Sequence, residues 1–470
     1  MTLFPILLVS IVHTLVISYH NNKMSKFMMK STMVYPKTDT PRGSVRLSDI
    51  DLIKRTPYTH TPLVYVYPNY QNNISTSSKY FDSTLLISSL SQVLVPFYPI
   101  AGRLRRNGQT DRIEIDCNAK GVLFVEVETS YEISDFGEFT PNDVLRKLVI
   151  PTCDYSGGFS KIPLLMVQLT RFRCGGVCIG LGVHHFAGDG AAYAYLINQW
   201  ARLARGDALD VLPVFDRARF LIARSPPHVD FNHLEFQKRT SHSDTDFQEM
   251  EKTKVGLFKF SEDQITALKQ QAMSNSHQMK YSTFEVLSAH VWRCALKARG
   301  VQNDKLVKFS TPINARSKFN HSVVPKGYFG NFIFNSVYFG KSGDIVSKPL
   351  WYAASKIHET VTRVNEDYIR SAVDFLSLQS DLSALATGPH TSRCPDVHVN
   401  FWKGLPFYEA DFGWGKPVFV RHGGIGYEGQ IVIMPNENGD ELFVGINLFS
   451  SHMDRFEKII YDFEERRAAL

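Results

Sequence analysis

The chain has 470 residues, 44% hydrophobic and 21% charged, with 30 Gly and 22 Pro. That balance excludes a disordered, collagen-like or disulfide-framework protein, and the length predicts two domains rather than one core. Lys and Arg number 52 against 46 Asp and Glu, a net charge of +6, and no basic cluster alternates with aromatics, so nucleic acid is not an expected partner. The six cysteines (Cys117, Cys153, Cys174, Cys178, Cys294 and Cys394) include no C-x-x-C pair. They read as buried free thiols of a reducing compartment, the cytoplasm.

Residues 1–30 form an N-terminal extension. Its apolar stretch, Met1 to His20, has no basic start and is interrupted by Pro5 and His13, and Met24, Met28 and Met29 follow it. An over-long start is the preferred reading over a membrane anchor. Residues 31–205 are the first domain. Leu63 to Tyr67, β-branched and aromatic, predicts a strand stopped by Pro68. Leu85, Leu86, Leu90 and Leu94 predict a helix over Ser83 to Leu94, ended by Pro96. Gly121–Val127, Leu164–Thr170 and Val177–Val183 predict three more strands.

Residues 206–250 carry Pro213, Pro226 and Pro227 among mixed charges with little periodicity, and predict a crossover linker. Residues 251–470 are the second domain, opening with a strand over Lys254 to Phe260. A capping box, Ser282-Thr-Phe-Glu285, starts a helix with the stripe Phe284, Leu287, Val291, Cys294 and Ala298, and Gly300 stops it. Strands and helices intermix in both parts, which predicts an α/β fold.

The chemistry concentrates in Cys174 to Gly190. Strand alternation puts Val177, Ile179, Leu181, Val183 and His185 on one face and Cys178, Gly180, Gly182 and His184 on the other. The glycines leave room for close packing behind the strand. His185, at the strand end with the acid Asp189 four residues on, is placed for general-base work, because imidazole exchanges a proton near neutral pH. On pattern alone, a core histidine bonded to backbone is an equal alternative. His184 and His185 face opposite ways and cannot share a metal ion, so no metal is expected. Farther on stand Asn314-Ala-Arg316, Tyr328-Phe-Gly-Asn331 and the aromatic turn Asp411-Phe-Gly-Trp-Gly415.

Taken together, H-x-x-x-D at His185–Asp189, YFGN at Tyr328–Asn331 and DFGWG at Asp411–Gly415 resemble the plant BAHD family of CoA-dependent acyltransferases, over about Ser31 to Phe463. The resemblance implies two chloramphenicol-acetyltransferase-like domains, each a mixed β-sheet flanked by helices, with an interface tunnel that CoA and acceptor enter from opposite faces. It implies His185 as general base and Asp189 as structural support, turned away from substrate and paired with Arg316. Asp411, Gly413, Trp414 and Gly415 would support the cofactor channel from outside the active site. No bound cofactor is implied; acyl-CoA is a co-substrate, with Ser282 and Thr283 near it, where the N-terminus of the helix offers N–H groups to phosphate. Lys254, Lys297 and Arg299 are further basic candidates, though a solvated surface side chain is the commoner reading for each. The family habit is a monomer.

Within the family, Tyr58–Tyr65, Val95–Leu104 and Trp292–Gly300 look like the hydroxycinnamoyltransferases, which implies an acceptor pocket of His60, Tyr65, Thr387, Asn400 and Trp402. Shikimate and quinate enzymes grip the acceptor carboxylate with an Arg where this chain has Thr387, beside Gly388-Pro-His-Thr391. Leu63 and Asn400 also depart from that pattern, whereas Trp402 keeps it. Cys117–Val122, Ala201–Gly206 and Phe231–Phe236 look more like spermidine enzymes, whose polyamine needs acids near its ammonium groups. The expectation is hydroxycinnamoyl transfer to an amine or hydroxyl, spermidine first, with shikimate, quinate or another alcohol as the alternative. A fold that binds CoA without turnover is the alternative from another class.

Overall fold

The computed structural model describes residues 28–54, 58–69, 80–236, 252–273, 279–319, 324–385 and 388–463. The Met1–His20 stretch and Thr387 lie outside these residues. Two six-stranded sheets carry the molecule. The first runs, edge to edge, Met28–Val34, Val122–Glu128, Leu165–Arg171, Val177–His184, His60–Tyr67 and Phe419–His422. Only the Val122–Glu128 and Leu165–Arg171 pair is parallel. The second runs Ile333–Lys341, Leu306–Asn314, Val397–Phe401, Gln430–Pro435, Leu442–Phe449 and Thr253–Phe260. A three-stranded sheet of Ser44–Arg46, Ile113–Asp116 and Arg103–Arg106 stands beside the first.

Both central strands are covered on two faces, which is why they read as apolar runs. Helices Ser83–Val93 and Gly190–Ala204 seal one face of the first sheet with Leu86, Leu90, Leu196 and Trp200. The Trp200 indole N–H donates to Leu86 O at 3.1 Å, so the buried ring keeps its polar edge satisfied. Val149, Phe139 and Phe172 cover the other face. On the second sheet, the helix Thr283–Arg299 has the predicted Ser282 capping box and ends at Gly300, whose φ of 63° is the left-handed conformation that glycine takes most readily.

Two departures from the half-and-half division matter. First, Phe419–His422 leaves the second half and pairs antiparallel with Leu63–Val66 of the first sheet. Phe407, Ala410 and Phe412 accompany it into the first core. A short β-branched and aromatic segment has no preference of its own between sheets; the open edge beside His60–Tyr67 gives it a ladder. Second, the crossover is no bare linker, because Leu221 and Phe236 pack with Ile50, Ile53, Tyr328 and Phe332 in a core joining both halves. The extension boundary at residue 30 falls inside the first strand, which starts at Met28. The thiols also differ from expectation: Cys117, Cys178 and Cys294 are buried, Cys153 and Cys394 half-buried, and Cys174, in the turn before its strand, exposed.

Candidate active site

The strand Val177–His184 is buried throughout and brings its end to the junction of the halves. Its glycines permit this, since a Cβ at Gly180 would stand 1.6 Å from the Val149 carbonyl oxygen. The chain then turns, Ala187 N–H donating to His184 O at 3.0 Å, and enters the helix capped by Asp189. His184 is fully buried, its Nδ1 accepting from Phe186 N–H at 3.2 Å. His185 lines a cavity of about 340 Å³ shared by both halves. Lys54, Thr61, Leu63 and Tyr193 come from the first half, and Asn314, His398, Asn400, Trp402 and Gln430 from the second.

The ring of His185 is oriented by a residue 146 positions away. Asn331 Nδ2 donates to His185 O and to Asp51 Oδ1, each at 2.7 Å. With the amide nitrogen so engaged, Oδ1 is the end that faces His185 Nδ1 at 3.0 Å. Nδ1 therefore carries the proton, and the neutral ring has its lone pair on Nε2. Asp51 is itself held by Ser48 N–H at 2.8 Å, Ser48 Oγ at 2.7 Å and Arg217 Nη1 at 3.0 Å. Arg217 and Asp51 are wholly buried, and Arg217 also donates to the carbonyls of Phe186 and Ala187. One arginine thus fastens the turn and neutralises the acid behind it.

Asp189 supports the same turn from its far side. Arg316 meets its carboxylate at 2.7 and 3.0 Å, and Phe332 N–H and Ala192 N–H donate at 2.9 and 3.0 Å. Burial alone would raise the pKa; Arg316 and the two N–H groups outweigh it and hold the carboxyl below the usual range. At Lys54, burial lowers the pKa to about 8 despite the opposing charges of Asp189 and Asp51. Among the described residues, Gln430 Oε1 and Thr61 Oγ1 are buried with no hydrogen-bond partner, and both residues line the cavity.

The remaining expected site residues divide. Asn400 and Trp402 line the cavity. His60 does not, because strand alternation turns Thr61 and Leu63 inward; its ring bonds Tyr155 Oη at 2.9 Å and Pro163 O at 2.7 Å. Tyr65 lies deeper on the Leu63 face, fully buried with its ring 6.4 Å from that of Phe407 at an interplanar angle of 75°. Neither residue joins Asn400 and Trp402 in the lining of this cavity. Ser282 and Thr283 are absent from the lining, and the helix N-terminus expected to receive phosphate already holds a carboxylate. Glu285 Oε2 accepts from Ser282 N–H at 2.6 Å and from Ser282 Oγ at 2.8 Å. Arg299 is likewise engaged, paired with buried Glu428 at 2.7 Å, and Lys254 bonds Glu457 at 2.8 Å.

Asp411 Oδ1 accepts from Gly413 N–H and Gly415 N–H at 2.8 and 3.0 Å, closing a turn that needs φ of +101° at both glycines. Trp414 packs on Phe81 at 4.7 Å and Phe412 on Trp200 at 4.8 Å. None of the five residues lines the cavity; the turn locks the exchanged strand to the first core. Sequence reasoning missed Asp51, Lys54 and Arg217 and assigned Asn331 no role. A Ser48-x-x-Asp51 capping pattern was available for the first, whereas nothing local marks Arg217. Among the described residues, no group of three or more His, Cys, Asp or Glu could hold a metal ion.

A model of the Transferase family matches residues 26–463. The chain belongs to this family, the BAHD acyltransferases. As a BAHD enzyme it uses acyl-CoA as the acyl donor. It is 45% identical to anthranilate N-benzoyltransferase protein 2 of Dianthus caryophyllus, over 94% of this chain and 100% of that one. Shikimate O-hydroxycinnamoyltransferase of Nicotiana tabacum is 44% identical, over 92% and 99%. Among solved structures, vinorine synthase superposes with a TM-score of 0.68 at 24% identity, covering 91% of this chain and 96% of its own. F. graminearum TRI101 with coenzyme A and T-2 mycotoxin gives 0.75 at 17% identity, over 88% and 97%. These two establish the shared BAHD fold of paired sheets.

Proposed function

We propose that the chain transfers an aromatic acyl group from its CoA thioester to the hydroxyl or amine of a small polar acceptor, with His185 as the base. The observation that carries this is the tautomer: Asn331 fixes the proton on Nδ1, so the lone pair lies on Nε2 of a residue lining the shared cavity. In this reading His185 Nε2 takes the acceptor's proton as its oxygen or nitrogen bonds the thioester carbonyl carbon. The tetrahedral intermediate then collapses, breaking the C–S bond. The thiolate leaves and recovers the proton from the imidazolium, so no covalent enzyme intermediate is needed. The imidazolium would be stabilised through Nδ1–H by Asn331, whose amide is backed by Asp51.

The relatives' names support benzoyl or hydroxycinnamoyl donors. Gln430 Oε1 and Thr61 Oγ1 support an acceptor rich in O–H or N–H groups. The spermidine expectation gains less support, since Asp189 is the one acid among the described lining residues and Arg316 already neutralises it. The proposal keeps a monomer in the cytoplasm. The test is purified full-length chain with p-coumaroyl-CoA or benzoyl-CoA and a panel of spermidine, anthranilate and shikimate, scored by CoA release and product mass. An acylated product with at least one acceptor is expected. Tight CoA binding with no transfer to any acceptor would favour the binding module instead.

A further inference from the structure

Lys54 is a cavity-lining lysine that the proposed proton transfer does not use. It follows the short helix Asp49–Leu52, is 4% exposed, and donates from Nζ to the Ile333 carbonyl at 3.0 Å. An ammonium so far from water ordinarily has a carboxylate opposite it. The two acids that act on it electrostatically are Asp189 and Asp51, and each already has its own arginine. Among the described residues, three bases therefore face two acids around the His185 turn. No other acid among the described lining residues redresses the balance, and Lys403 together with the imidazoles of His398 and His422 adds no negative charge.

We propose that Lys54 is a specificity-determining residue that pairs with a carboxylate of the acceptor, selecting acidic acceptors over neutral and cationic ones. The inference rests on the acyl-transfer reading above and names the acceptor class for it. Two features favour an acceptor carboxylate over the phosphates of CoA. Lys54 is buried beside the acids that hold the His185 turn, where the thioester end must lie for His185 to act. The pyrophosphate is a whole pantetheine arm from that carbonyl. The alternative is a purely structural lysine that fastens Ile333.

The experiment compares matched acceptors with the full chain at a saturating acyl-CoA: 2-aminobenzoate with 2-aminobenzamide, and shikimate with its methyl ester. Spermidine provides the cationic arm. A charge-assisted hydrogen bond predicts that kcat/KM for each acid exceeds that for its neutral partner by ~10-fold or more, and spermidine should trail the acids. Lys54→Met should collapse the acid preference, with Lys54→Arg retaining most of it. Equal use of acid and neutral partner by the native chain would overturn the proposal without any variant. So would an undiminished preference in Lys54→Met. A raised KM for acyl-CoA with acceptor preference intact would assign Lys54 to the CoA phosphates, which also overturns it. Calorimetric titration of 2-aminobenzoate and 2-aminobenzamide in the presence of CoA reads the same preference without turnover. An acid preference there in a chain that transfers no acyl group would support this inference while defeating the acyl-transfer reading.

Discussion

His185 depends on Asn331 for a proton position that its own neighbours in sequence do not set. The amide is the link between two charges of opposite purpose, the imidazole that would become cationic and the buried carboxylate of Asp51. Asn331→Ala removes the acceptor for Nδ1–H and leaves Asp51 one side-chain donor short. Losing one such orienting bond is worth ~1–1.5 kcal/mol, so kcat should fall ~10-fold with acceptor KM changing far less. Nitrogen-15 shifts of the His185 ring should show Nδ1 losing its proton preference. An unchanged tautomer with a collapsed thermal transition would instead make Asn331 a packing residue. This contact joins positions 146 apart, and no local pattern in the sequence announces it. The H-x-x-x-D spacing drew attention to Asp189, which the structure ties to Arg316, Phe332 and Ala192.

At the scale of elements, the strand that carries His185 owes its place to two glycines of different strictness. A Cβ at Gly180 meets backbone, the Val149 carbonyl oxygen at 1.6 Å, whereas at Gly182 it meets the mobile end of a side chain, Met166 Cε at 2.7 Å. Gly180→Ala should therefore fail to give soluble folded protein. Gly182→Ala should fold with a loss of ~1–3 kcal/mol, the usual range for overpacking. Soluble yield checks the first and urea titration the second, and a Gly180→Ala chain that folds with no greater loss than Gly182→Ala would contradict the packing argument. The strand and the helix Thr283–Arg299 were legible from period, cap and stop residues, because those signals are local. The place of His60 off the cavity lining was not legible, because a matching motif gives no account of which strand face turns inward. The exchange of Phe419–His422 into the first sheet was not legible either, since strand pairing is chosen by the available edge rather than by the segment.

Across the whole molecule, both halves are fastened by buried polar groups, and that makes the fold sensitive to acid. Burial lowers the pKa of His60 to about 4, opposed by its bond to Pro163 O, and burial likewise brings His290 to about 4, opposed by Ile460 O. Unfolded histidine titrates near 6.5, so each ring contributes its stability in full above about 6.5 and loses it as pH falls from there toward 4. The unfolding free energy read by urea titration should drop over that interval by an amount on the order of a few kcal/mol for the two rings together. His60→Gln and His290→Gln should each flatten the drop, and an unchanged slope in both would show that other groups govern it. Within the same molecule the functional reading comes down to one imidazole where the sheets meet. The most direct measurement is steady-state CoA release by His185→Ala, alongside its circular dichroism and melting curve. A native fold with turnover reduced ~100-fold or more is the predicted result. Near-native turnover in a folded His185→Ala chain would contradict the assignment of the base.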